Sequence, residues 1–188
     1  MKTLKIYIIT LFAFTSLTMN AQEYSMNNKK SNLTWTGKAA FSSYSLSGDL
    51  KTSQGKILIE NNTIKSLDIT IDMTSLTHKN KNLKSHLRSK DFFEVKRYKQ
   101  AQFTITKPVQ IVDRKATLVG TMKIKKTSLE ESIEANIKIK GGQVILTFNT
   151  KLDRTKYGVK FNSPSFFKKM KENAIADNFL LKGELIFN

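Results

Sequence analysis

The 188-residue chain contains no cysteine, and that absence removes several functions at once. No disulfide can brace the fold, and no thiolate is available for zinc, a haem iron or an iron–sulfur cluster. Acidic residues are scarce, with 15 Asp and Glu against 32 Lys and Arg, a formal charge of +17. Such a balance favours anionic neighbours: phosphate head groups, an anionic membrane surface or nucleic acid. Nucleic acid is set aside, because the lysines are dispersed and fall on alternate strand positions (Lys123 and Lys125, Lys138 and Lys140) without an RNA-binding or helix-turn-helix pattern. Catalytic motifs are missing as well. There is no Gly-x-Ser-x-Gly elbow and no glycine-rich phosphate loop, and the two histidines, His78 and His86, lack the spacing of a zinc helix. The one adjacent acidic pair, Glu130-Glu131, stands beside an expected turn, where solvation is the default. The chain is therefore expected to be no enzyme, with no catalytic residue, no metal site and no covalent cofactor.

An apolar run long enough to cross a membrane as a helix is also lacking. Residues 6–17 are mostly apolar but short, follow Lys2 and Lys5, and lead to Met19-Asn20-Ala21 before polar Gln22. That is the order of a secretory signal peptide, so residues 1–21 are expected to be removed by cleavage near Ala21 and the protein to be periplasmic or secreted. With no cysteine near that point, lipid anchoring is excluded. Residues 22–188 suit one domain with a sizeable core.

What the sequence does contain is a two-residue period. Leu33, Trp35, Gly37, Ala39 and Phe41 alternate with mainly polar residues, and Leu67, Ile69, Ile71 and Met73 with Asp68, Thr70, Asp72 and Thr74. Phe103, Ile105, Val109 and Ile111 form another face, with Pro108 marking an edge or bulge. Further faces follow in Leu118 to Ile124, Ile133 to Ile139, Val144 to Leu152 and Phe179 to Phe187. Asn61-Asn62, Asp113-Arg114 and Gly141-Gly142 are turn signals. Two short helical interruptions are expected: one in the lysine-rich connector after Leu76, and one after Ser163-Pro164, where Phe166, Phe167, Met170 and Ala174 share a helical stripe. The expected fold is all-β, an eight-stranded antiparallel barrel or a sandwich, with strands in meander order. A barrel of that size is filled by its own side chains or holds one small ligand, and periodicity leaves both open.

The densest stretch runs from Lys84 to Phe103. It gathers His86, Arg88, Phe92, Phe93, Arg97 and Tyr98 between two expected strands. Loops on a rigid scaffold are where binding residues concentrate. Its rings can equally plug one end of a hydrophobic core.

Ser85-His86-Leu87-Arg88-Ser89, Asp91-Phe92-Phe93 and Tyr98 through Phe103 resemble the YceI-like, polyisoprenoid-binding family. So do Leu33-Thr34-Trp35-Thr36-Gly37-Lys38, Ile71-Asp72-Met73-Thr74-Ser75, Gly120-Thr121-Met122-Lys123-Ile124-Lys125, Asp153-Arg154-Thr155 with Tyr157-Gly158-Val159, and Ala174-Ile175-Ala176-Asp177, in the family's order. Lys99 stands where the family often has proline, and Ser43 and Tyr44 where it often has histidine. The resemblance implies an exported, lipocalin-like barrel that holds an isoprenoid chain, a polyprenyl phosphate or quinone, as a non-covalent ligand.

On that reading the inner wall is expected to include Trp35, Leu67, Ile69, Ile71, Phe103 and Ile105, with Leu146, Phe148, Phe179 and Leu181 across from them. Phe92 and Phe93 are added from the dense loop, and His86 and Arg88 are the candidates for its mouth, where a guanidinium or imidazole can meet a head group. The competing account pairs Arg88 with Asp91 or Asp72, and makes Asp153-Arg154 a turn with an ion pair. The alternative function is a basic barrel with a packed core that binds a macromolecule or the envelope surface by its outer face. A homodimer stays open.

Overall fold

In the computed structural model, residues 21–167 and 173–188 are described. Residues 1–20 of the expected signal segment and Met170 of the expected second helical stripe lie outside them.

Ten strands form one antiparallel sheet: β1 (Gln22–Ser25), β2 (Asn32–Ala39), β3 (Ser45–Glu60), β4 (Thr63–Asp72), β5 (Gln100–Ile105), β6 (Val109–Gln110), β7 (Lys115–Ile124), β8 (Thr127–Lys140), β9 (Gln143–Asp153) and β10 (Ile175–Phe187). They make eight staves. β1 and β2 both lie along β3, with Ser25 opposite Lys56 and Leu33 opposite Leu50, so they are one stave interrupted between them. β5 and β6 both lie along β4 and are parted near Pro108, which has no N–H to give a ladder. The sheet closes because β10 pairs with β2 as well as β9, while β3 pairs with β4. Closure leaves no open edge.

Neighbouring staves run in opposite directions, so the two ends of the barrel differ. Tight turns at Asn61-Asn62, Asp113-Arg114 and Gly141-Gly142 occupy one end, all with positive φ. The long connections 40–44 and 73–99, and the described parts of the connection between β9 and β10 (154–167 and 173–174), collect at the other. The longest of these holds a 3-10 turn (Met73–Ser75) and helix α1 (Lys81–Arg88). Asn80 caps α1, its side-chain oxygen accepting from the Leu83 N–H at 3.1 Å.

Two expectations are corrected here. Pro164 to Phe166 form a turn rather than the start of a helix, and Phe166 and Phe167 are about half exposed, not packed on a stripe. Backbone bonds from the N–H groups of Phe166 and Phe167 to the Ser163 carbonyl close a single turn. Phe41, expected on a strand face, lies beyond the end of β2 and is 68% exposed.

Candidate ligand cavity

The inward positions of each stave do not fill the barrel evenly. Towards the tight-turn end, Phe148 lies on Gly183, its partner across the β9–β10 ladder, and Phe103 lies on Gly120. A Cβ at Gly183 would run into the Phe148 ring, and one at Gly120 would stand 2.8 Å from the Phe103 ring. Glycine is required at 183 because the Phe148 ring occupies the space of the missing side chain, and at 120 because the Thr104 carbonyl and Ile105 backbone crowd that space together with the Phe103 ring. With Leu33, Leu118, Leu146 and Leu185 around them, these rings form a floor in which only about 20 Å³ of void remains.

Above the floor the barrel is hollow. A cavity of about 290 Å³ is walled by Trp35, Leu50, Ile71, Met122, Leu152 and Leu181 from the staves. Leu83 and Leu87 of α1, four residues apart on one helical face, close it from above with Phe92 and Phe93. Lys38, Tyr44 and residues 173–176 line its rim, so the opening lies among the long connections. The lining is overwhelmingly hydrocarbon, which suits an apolar guest.

One charged group is built into this wall. Arg154, at the end of β9, is 4% exposed. Its guanidinium donates to the carbonyls of Ala176 at 3.0 Å, Val159 at 2.8 Å and Ile175 at 2.8 Å, and lies 3.9 Å from Asp177. Burial pushes its pKa down, opposed by the nearby charges of Asp177 and Asp153. Asp177 also accepts from Ser163 and Ser165, so Arg154 and Asp177 together tie Val159, Ser163 and Ser165 to the start of β10. Three of the five guanidinium N–H groups are occupied by carbonyls. Nearby, the buried Tyr157 hydroxyl donates to Glu131 at 2.7 Å, and burial followed by that acceptor's bond and charge raises its pKa. Glu131 of the acidic pair is thus engaged by Tyr157 rather than merely solvated.

The sequence-derived wall residues divide between floor and hollow. Trp35, Ile71, Phe92, Phe93, Phe179 and Leu181 line the cavity, and Ile71 and Leu181 also touch the floor. Ile69, Phe103, Leu146 and Phe148 belong to the floor alone. Leu67 and Ile105 are buried but border neither void. His86 and Arg88 do not line the cavity; α1 turns Leu83 and Leu87 inward instead. His86 is held edge-on against Phe92 and Phe161, with ring centroids 5.0 and 4.6 Å away, and its Nε2 is 3.5 Å from Asp91. The carboxylate expected to meet Arg88 therefore faces His86, while Asp72 accepts from Thr74. Arg154, read from sequence as part of a turn, is the buried cation of the cavity wall, and Lys38 is a second cation at its rim. The position of Arg154 after the alternating run that ends at Leu152 was the available signal.

The YceI-like domain model matches residues 24–187, almost the whole described chain. The chain belongs to the YceI-like domain family. Solved structures agree on the barrel. BcnA of Burkholderia cenocepacia is similar with a TM-score of 0.72 at 19% identity, over 86% of this chain and 98% of that one. A polyisoprenoid binding domain from Saccharophagus degradans, implicated in plant cell wall breakdown, gives 0.67 at 13% identity, over 88% and 97%. The YCEI protein of Campylobacter jejuni gives 0.56 at 26% identity, over 66% and 73%. No curated protein matches the sequence. For this YceI-like chain the eight-stave barrel is thus a family property, while the division into floor and hollow is read from its own side chains.

Proposed function

We propose that this YceI-like protein is an exported, non-enzymatic binder of an isoprenoid chain, a polyprenyl phosphate or isoprenoid quinone, which sits in the hollow half of the barrel. The observation that carries the reading is the 290 Å³ hydrocarbon-lined cavity with Arg154 at its wall. Burying an isoprenoid tail there releases water from both surfaces, worth about 25 cal/mol per Å² of apolar area. A phosphate or quinone oxygen would be oriented by the remaining N–H groups of Arg154. The volume is at the lower end for small-molecule sites, so the cavity takes a length of tail and the remainder of a long chain lies between the mouth loops.

Organic extraction of the purified protein followed by mass spectrometry tests this. A stoichiometric isoprenoid is the expected result. Protein that is empty after gentle purification, and that fails to take up an isoprenoid quinone supplied in excess, would return the reading to a basic barrel that binds a macromolecule by its outer face. Export is tested separately by the N-terminus of the protein recovered from cells, expected near Gln22.

A further inference from the structure

Among the described residues, six large apolar side chains are exposed, and four of them are aromatic: Phe41, Tyr44, Phe166 and Phe167. All four belong to the long-connection end. Phe41 and Tyr44 lie between β2 and β3, and Phe166 and Phe167 between β9 and β10. The two connections rise from adjacent staves and are joined where the Ala40 N–H donates to the Ala174 carbonyl at 2.8 Å. Tyr44 and Ala174 both line the cavity, so the two joined connections that carry these rings border its opening. The other two exposed apolar residues, Val112 and Ile139, lie at the tight-turn end.

Exposed apolar side chains gathered at one end and rimmed by polar groups mark an interaction surface. Charge identifies the cover. Residues 73–99, which cap the same opening, contain eight lysines and arginines against two acids. Lys38 lies on the rim, and Lys160 holds its ammonium 4.2 Å from the Phe166 ring centroid. Aromatic rings interleaved with cations match the interface of a bilayer, where rings sit at head-group depth and basic side chains meet anionic phosphates.

We infer that the mouth of the barrel docks on an anionic phospholipid bilayer through Phe41, Tyr44, Phe166 and Phe167, with the surrounding lysines and arginines on the head groups. The inference deepens the apolar-ligand reading and rests on it for its purpose: a docked mouth lets a lipid tail pass from bilayer to cavity without crossing water. Docking itself does not depend on what the cavity holds.

The test is co-sedimentation of the purified protein with vesicles of equal parts phosphatidylglycerol and phosphatidylcholine, at physiological ionic strength, against vesicles of phosphatidylcholine alone. Binding to the anionic vesicles is expected. The triple variant Phe41→Ser, Phe166→Ser, Phe167→Ser should bind them about tenfold more weakly while keeping its fold, because exposed rings contribute to interfacial binding in proportion to the apolar area they insert. Lys138→Gln with Lys140→Gln, at the tight-turn end, should leave binding within about twofold, since charges beyond a Debye length of the surface are screened. No binding to anionic vesicles, an unaffected triple variant, or an equal loss from the Lys138 and Lys140 pair would each overturn the inference. Extracting ligand from the same preparations separates the two readings: docking by protein that neither carries nor takes up an isoprenoid sinks the ligand reading alone, and a loaded protein that ignores vesicles sinks docking alone.

Discussion

A hollow and a solid barrel respond to the same substitution with opposite signs. Ala101, on β5 opposite Ile71, is 3% exposed and lines the cavity. Ala101→Leu adds three carbons that can enter the void, worth about 0.8 kcal/mol each when buried. Fixing a leucine rotamer takes back roughly 0.5–1 kcal/mol. The ligand-free protein should therefore gain about 1.5 kcal/mol. With a urea slope on the order of 2 kcal/mol per M, its unfolding midpoint should rise by roughly 0.7 M. Were Ala101 in a filled core, the extra carbons would cost about 1–3 kcal/mol through overpacking. Urea denaturation after removal of extractable lipid distinguishes the cases, and a lowered midpoint would refute the claim that this half of the barrel is empty. The same variant should retain less isoprenoid, because the leucine occupies the ligand's space.

Arg154→Met should destabilise the protein by about 3–5 kcal/mol, since three carbonyls and Asp177 lose their buried partner; Arg154→Lys should recover little, because one ammonium cannot reach three diverging acceptors. Denaturant titration at neutral pH reads both. Tyr157 gives a pH signature: its folded pKa lies above the unfolded value near 10, so its contribution is intact below pH 10 and is lost as pH rises beyond it, by up to about 1.4 kcal/mol per pH unit. Tyr157→Phe should lose that part of the alkaline slope in unfolding experiments from pH 9 to 12, and an unchanged slope would refute the assignment. At the floor, Gly183→Leu should destabilise by about 1–3 kcal/mol through collision with Phe148, and pairing it with Phe148→Ala should restore most of the loss; simple additivity of the two losses would contradict the packing described.

Much of the barrel was legible because alternation survives wherever one sheet face is buried. The two breaks in the staves were partly visible too: Pro108 announces one, whereas the interruption between β1 and β2 has no comparable marker. The helix expected after Ser163 rested on a local cap and stripe, but Ser163 and Ser165 instead bond Asp177 and hold the segment as turns. At the site, alternation identified inward residues without telling floor from hollow. That distinction depends on which ring faces which glycine across the ladder, a matter of register between distant strands. Thus Phe103 and Ile69, equivalent by pattern to Ile71, belong to the packed end, where a charged replacement would unfold the protein rather than empty it. His86 and Arg88 stay off the cavity lining for a related reason: a loop can be dense in histidine and arginine, but the phase of α1 decides which of its residues look inward, and those are Leu83 and Leu87.

The seam of the barrel joins the earliest and latest parts of the described chain. Leu181 pairs with Trp35 and Glu184 with Asn32, whereas every other ladder joins staves that are consecutive along the chain. A nascent chain can thus zip most of its hairpins as they emerge, yet β2 keeps a bare edge until β10 arrives. That interval exposes a template for intermolecular strand pairing. Loss of even the terminal half of β10 would make the interval permanent, turning a sealed wall into a sticky open sheet.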